Sequence, residues 1–197
     1  YFRNNGELRD GDLVLMDYAP DYHYYVSDIG RMWPVSGTFS AGQRELLEPV
    51  LRYRDFLIDY IRPGVSTEQV LSEAAAAMEE WFARNPFDNV RYEEAAREMV
   101  AKGSGAFSHP VGMAVHDDGD YDYRRQPLAP GMVFSVDPTL RVEEENLYLR
   151  YEDTVVVTED GVENFTAFLP SELDDLEALM KEEGIVQRVP AMQGLPD

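Results

Sequence analysis

From Leu149 to Thr158 the chain reads Leu-Arg-Tyr-Glu-Asp-Thr-Val-Val-Val-Thr, a β-branched run with Arg150, Glu152 and Asp153 set inside it. Val, Thr and Tyr at this density favour a strand that packs against neighbours. A charge carried into a core costs several kcal/mol unless it is paired or ligated. Arg150 and Glu152 are therefore the residues hardest to reconcile with a purely structural strand, and any fold of this chain has to supply partners for them.

Three other places carry related chemistry. Residues 11–18 and 23–33 read as strands joined by Pro20-Asp21 turn chemistry, an antiparallel hairpin that sets Asp17 and Asp28 within reach of each other. Taken singly, a strand-borne Asp is more often a capped or solvated residue than a ligand. His109 and His116 lie seven positions apart on a segment, 109–116, that also reads as a strand. An odd separation sends side chains to opposite faces of an ideal strand unless a bulge intervenes, so these two imidazoles are not expected to share one ion. Pro130-Gly131-Met132-Val133-Phe134-Ser135-Val136-Asp137-Pro138 is an apolar strand that ends in an acid.

These places supply Asp, Asp, His, Asp and Glu on successive strands. Four carboxylates carry about four negative charges, which two divalent cations neutralise and one does not. Oxygen-rich ligation with one imidazole suits Mn(II), Co(II), Fe(II) or Zn(II). Paired ions can lower the pKa of a bridging water to near neutrality and polarise a carbonyl at the same time. The physics points to a dinuclear hydrolase and leaves the substrate unnamed.

The rest of the chain sets the frame. Leu46, Leu47, Val50, Leu51, Phe56, Leu57, Tyr60 and Ile61 recur at helical spacing within 40–61, closed by Arg62-Pro63-Gly64. Pro49 lies inside that pattern and is expected to kink the helix or split off its first turns, at roughly 3 kcal/mol. A second helix starts at a Ser66 or Thr67 cap and runs through Arg84, and a third covers 92–102. Short strands follow at 109–116, 131–137, 145–158 and 162–167, then a helix over 171–184 with Ser171 as its cap. Strands, three helices, strands and one helix in that order indicate an α+β fold with a mainly antiparallel sheet.

Composition narrows the partners. The 197 residues carry 17 Lys+Arg against 38 Asp+Glu, a net charge of −21. That field disfavours a nucleic-acid backbone or an anionic membrane. No apolar run approaches the roughly 18 residues needed to span a bilayer, so a soluble chain is expected. The absence of Cys removes disulfides and thiolate metal sites together. No cationic leader followed by an apolar stretch is visible, and a cytoplasmic location is the expectation.

Five blocks in order carry a family resemblance: Gly11-Asp12-Leu13-Val14-Leu15-Met16-Asp17; Tyr25-Val26-Ser27-Asp28-Ile29-Gly30-Arg31; Ser108-His109 with Val115-His116-Asp117; Pro130-Gly131-Met132-Val133 leading to Val136-Asp137-Pro138; and Arg150-Tyr151-Glu152-Asp153 with Thr158-Glu159 and Gly161. The set resembles the catalytic domain of the aminopeptidase P, prolidase and methionine aminopeptidase family, the creatinase-like pita-bread fold, from about Tyr1 to Phe168. The resemblance implies a curved antiparallel sheet flanked by helices over 1–170, with its first half-domain incomplete, and a C-terminal helix and tail over 171–197. It implies Asp17, Asp28, His109, Asp137 and Glu152 as ligands of two divalent ions, manganese first and cobalt, zinc or iron as alternatives, with Asp28 and Glu152 bridging. It gives Glu152 the general base, His116 the substrate carbonyl, and Arg150 the orientation of the ligands. The partner it implies is a peptide cut at its N-terminal bond, with proline after the bond, and a homodimer is a family expectation.

Several positions depart from the family pattern. Asp137 stands where Glu is usual, Asp17-Tyr18-Ala19 replaces Asp-x-Gly, Gly30-Arg31-Met32 replaces Thr-Arg-Thr, and Gly105 takes the place of a further His. All five ligand positions keep metal-capable side chains, which argues against a metal-free creatinase-type enzyme. Two other readings remain: a related C–N hydrolase on a small amide, and a domain that binds peptides without turnover. His116 as a packed strand histidine and His23 as a surface residue are the structural alternatives at those positions. The first half of the pseudo-symmetric fold is expected upstream of Tyr1.

Overall fold

The computed structural model describes residues 5–117 and 122–188. The chain opens with β1 (Leu13–Tyr18), which pairs antiparallel with β4 (Ile29–Pro34) so that Asp17 faces Gly30 and Tyr18 faces Ile29. Between them β2 (Asp21–Tyr22) and β3 (Tyr25–Val26) extend the hairpin. The expected antiparallel hairpin is present, but its turn is His23-Tyr24, both at positive φ (51° and 70°), and not Pro20-Asp21. The expected single strand 23–33 is broken at Ser27-Asp28.

Helix α1 (Ala41–Tyr60) starts at a capping box in which Ser40 and Gln43 satisfy each other's backbone amides. It runs unbroken through Pro49, against the expected split. Leu46, Leu47, Val50 and Leu51 around the proline are all buried. Each such burial is worth roughly 1.5–3 kcal/mol, so together they outweigh the proline's cost. Helix α2 (Thr67–Arg84) is capped by Ser66 and α3 (Val90–Lys102) by Asn89, two residues earlier than the apolar spacing suggests. Gly103 ends α3 in the left-handed region, at φ 59°.

The second group of strands is where pattern and structure part. β5 (Val133–Val136) pairs with β8 (Asp153–Val157), which also pairs with β9 (Val162–Asn164). β6 (Thr139–Val142) pairs with β7 (Leu147–Arg150) around a 3-10 turn at Glu143–Glu145. The long strand expected over 145–158 is therefore two strands, because the chain changes partner after Arg150. The 131–137 run changes partner at Asp137-Pro138, opposite that joint, since proline has no amide to continue a ladder. The segment 109–116 is not a strand: only Pro110 bridges to Phe134, and the chain folds back so that Asp117 N donates to Pro110 O.

Helix α1 packs on α2, α3 and strands β5, β6, β7 and β9, and the buried side chains of all these elements form one core. The last expected helix is shorter, α4 (Leu173–Leu179), and its N-cap is Glu172 rather than Ser171, whose Oγ accepts from Arg54 instead. A short α5 (Ile185–Arg188) follows, and the tail from 189 onward lies outside the described residues. Among the described residues no helix is long and apolar enough to cross a membrane.

Candidate metal centre

Three interruptions in the ladders meet at one place: Asp28 at the gap between β3 and β4, Asp137 at the gap between β5 and β6, and Glu152 at the gap between β7 and β8. Glu152 and Gly30 exchange backbone hydrogen bonds at 3.0 and 3.2 Å, which ties the first hairpin to the second group of strands. A Cβ on Gly30 would stand 2.9 Å from the Glu152 Cβ, so only glycine allows this approach. Thr154 fastens the other side: its hydroxyl accepts from Asp28 N at 2.9 Å and donates to Asp28 O at 2.8 Å.

The side chains so gathered are an acid cluster with little water. Asp28, His109, Asp137 and Glu152 are 4, 8, 5 and 0 % exposed, whereas Asp17 and His116 lie on the open side. His109 Nε2 is 3.3 Å from Asp28 Oδ2 and 4.0 Å from Glu152 Oε1, and its Nδ1 faces Pro110 O at 3.2 Å. Ser135 Oγ donates to Glu152 Oε1 at 2.5 Å. Arg150 places Nη2 2.7 Å from Asp17 and against Glu152 Oε2, and Nη1 3.7 Å from Asp137. The charge embedded in the strand thus has its partners, and Arg150 is the single cation among four carboxylates.

One guanidinium does not balance four acids, and the ionisation of the cluster reflects it. Burial lifts Asp137 to about 6, with Asp28 and Asp17 adding to the rise and Arg150 and His109 opposing it. Burial also raises Glu152, helped by Asp137 and Asp28 against the pull of Arg150 and Ser135. For His109 burial disfavours the charged ring, but Asp28, the Pro110 carbonyl and Glu152 outweigh it and raise its pKa. Arg150 is held protonated by Glu152, Asp137 and Asp17 despite its burial. The Asp28 Oδ1 atom is buried with no hydrogen-bond partner. An orphaned carboxylate oxygen beside an excess of buried negative charge is what a site built for cations presents.

Two sets of donors already have ligand spacing. One oxygen each from Asp17, Asp28 and Glu152 lie within 4.8 Å of one another, and so do single ligand atoms of Asp28, His109 and His116. Asp28 belongs to both. The expectation that His109 and His116 point apart is overturned: their ring centroids are 4.0 Å apart at 38°, because the backbone between them turns instead of extending. Asp137 joins neither set. His23, read as a surface residue, is exposed at the hairpin turn.

The sequence reading overlooked Arg31, Ser135 and Thr154. Arg31 donates to Gly30 O at 2.9 Å and Glu152 O at 2.6 Å while its Nη2 pairs with Asp153 at 2.7 Å, clamping the joint that carries Glu152. The signal was present, since Arg31 is a charge inside an aromatic strand just as Arg150 is.

The model of metallopeptidase family M24 matches residues 1–159. A Xaa-Pro aminopeptidase from Escherichia coli (strain K12) is 35% identical over 194 residues, covering 91% of this chain and 43% of that protein. A structure of a putative aminopeptidase P from Bacillus anthracis superposes with a TM-score of 0.74 at 29% identity, over 94% of this chain and 42% of that one. A zinc-substituted E. coli aminopeptidase P in complex with product gives 0.70 at 34% identity, over 91% and 43%. The chain therefore spans less than half the length of these relatives. It belongs to metallopeptidase family M24.

Proposed function

We propose that this M24 chain carries the catalytic centre of a metal-dependent aminopeptidase that hydrolyses the N-terminal bond of a peptide, with proline following that bond. The observation that carries the reading is the convergence of Asp17, Asp28, His109 and Glu152 from four separate segments onto one buried, cation-deficient cluster. The names of the relatives, Xaa-Pro aminopeptidases among them, support the substrate class.

Asp17, Asp28, His109 and Glu152 would hold two divalent ions with Asp28 shared, and Asp137 and His116 complete the ring of donors. Manganese is the first candidate, and the zinc-substituted relative supports tolerance of other first-row ions. Such ions supply Lewis acidity for hydrolysis when bound. The chain's own part is to exclude water from Glu152 by burial, to orient Oε1 through Ser135 and Oε2 through Arg150, and to keep that carboxyl's pKa high enough to exchange a proton near neutrality. The exposed His116 lies where a peptide carbonyl enters from the open side.

We further read 1–170 as the catalytic portion of a curved pita-bread sheet whose first half-domain is incomplete, and 171–197 as its C-terminal helix and tail. Leu173 and Leu176 of α4 are buried in the same core, and Arg44 pairs with Glu177 at 2.7 Å, which supports docking of that helix on α1.

The test is release of the N-terminal residue from Ala-Pro and Gly-Pro peptides after chelator treatment and reloading with Mn(II), Co(II) or Zn(II). Turnover that returns with metal and is absent in Glu152→Ala is expected. Metal binding without turnover dependent on Glu152 replaces this reading with that of a peptide-binding domain.

A further inference from the structure

The two donor sets are chemically unlike. Asp17, Asp28 and Glu152 offer oxygen alone, whereas Asp28, His109 and His116 offer two imidazoles and one carboxylate. The place left for a fifth acid is not taken up by Asp137. A Cβ built on Gly105 would lie 2.3 Å from Asp137 Oδ1 and 2.1 Å from its carbonyl oxygen, so this carboxylate is folded back over the bare glycine, which itself sits at φ 72°. Asp137 N donates to Gly105 O at 3.0 Å and Oδ2 faces Arg150 at 3.7 Å, which hold it there. Its side chain is also short for a reach toward the other donors.

His116 is brought in by its own loop. Gly112 N donates to Ala114 O at 3.1 Å, Val26 N to Gly112 O at 2.8 Å, and Met113 N to Asp117 Oδ2 at 2.8 Å. These bonds fold 110–117 back on the β2/β3 hairpin and lay the His116 ring beside His109. Two imidazolium rings 4.0 Å apart would repel each other, whereas one shared cation between neutral rings resolves the contact. The unpartnered Asp28 Oδ1, buried in the same place, is a second and independent sign of a missing cation.

We propose that His116 is a metal ligand in this chain, completing with Asp28 and His109 a nitrogen-rich corner, while Asp137 backs the site from Gly105 without ligating. This rests on the metallopeptidase reading and refines it: the two corners select different ions. The oxygen corner suits Mn(II), and the corner with two imidazoles suits Zn(II) or Co(II).

Zn(II) titration of the chelator-treated chain by calorimetry, with zinc X-ray absorption to count imidazoles, tests this without reference to activity. The wild type should bind two ions per chain. Even outer-layer substitutions at metal sites cost roughly 10–100-fold in affinity, so His116→Ala should weaken one of the two ions by at least about tenfold and remove one imidazole from the absorption spectrum. Asp137→Asn should change either affinity by less than about threefold. His116 is exposed, so its replacement leaves the core intact, and His116→Gln provides a second variant. Unchanged zinc affinity in His116→Ala, or loss of an ion in Asp137→Asn, overturns the assignment and returns Asp137 to the ligand set. No zinc bound by the wild type removes the metallopeptidase reading itself, a result distinct from either.

Discussion

The metal-free centre should penalise the folded chain in a pH window set by Asp137. Its carboxyl titrates at about 6 in the fold against an ordinary value of 3.8, because it is buried among other acids. The folded state therefore binds a proton that the unfolded state releases, and stability falls as pH rises through that window. At roughly 1.4 kcal/mol for each tenfold change in proton affinity, the penalty is about 2–3 kcal/mol above pH 7 and vanishes near pH 4. Asp137→Asn removes the charge, keeps the shape and forfeits only the 3.7 Å contact with Arg150. In chelator the variant should match the wild type near pH 4.5 and melt roughly 5–10 °C higher at pH 7.5, at about 2–4 °C per kcal/mol for a chain of this size. The comparison cancels the self-repulsion of the remaining acidic surface, which both proteins share. Saturating metal should reverse the trend for the wild type, because ions bind deprotonated carboxylates and their stabilisation grows with pH. A variant that melts no higher than the wild type at pH 7.5, or equally higher at both pH values, refutes the charge-excess account of the site.

Other expectations follow from single contacts. Gly30→Ala drives a Cβ into Glu152 and should cost about 1–3 kcal/mol in urea unfolding while weakening metal binding, whereas a neutral result would mean the Gly30-Glu152 bridge is looser than described. Arg31→Met leaves Asp153 buried with only Arg54 and Thr166 as partners and frees Glu152 O, so a loss of about 3 kcal/mol is expected by chemical denaturation, and less than 1 kcal/mol would contradict the clamp. Gly105→Ala meets both a positive φ and the Asp137 oxygens, and a melting temperature at or above the wild type would show that the Asp137 carboxylate is not packed there. The acid limb of stability should involve Asp153. Burial works against its charge, but Arg31, Arg54 and Thr166 lower its pKa overall, so its contribution is present above pH 4 and is lost as pH falls below that.

The helices were legible because their signals are local. Ser40 with Gln43, Ser66 and Gly103 punctuate apolar spacing that only a core-facing helix explains. Pro49 misled because its cost is a local number, while the burial that outweighs it comes from strands far along the chain. The strand lengths were misread for a related reason. A β-branched run shows where extended chain lies, but not where it trades one partner for another, and Leu149–Val157 gives no local mark at Tyr151-Glu152 where β7 hands over to β8. His109 and His116 failed similarly: parity along a strand assumes a strand, and the hydrogen bonds that turn 110–117 back include one from Val26, distant in sequence.

Those failures and the site have one cause. A side chain within a continuous ladder is aimed by the pleat, alternately into the core or out to water. Neither direction gathers four acids and a histidine around one point. Breaking the ladder at Ser27-Asp28, at Asp137-Pro138 and at Tyr151-Glu152 releases three carboxylates from that alternation and turns them toward one another, and the backbone groups freed there are recovered by the Gly30-Glu152 pair, by Thr154 and by Gly105. The residue types of the centre could be read from sequence because charges in apolar strands demand partners. The choice between Asp137 and His116 could not, because it depends on a glycine whose missing Cβ gives the shorter acid a place to fold away. A side chain on residue 105 would close that place and push the carboxylate back toward the metal donors, so residues 105, 137 and 116 are expected to vary in this chain's chemistry as one unit.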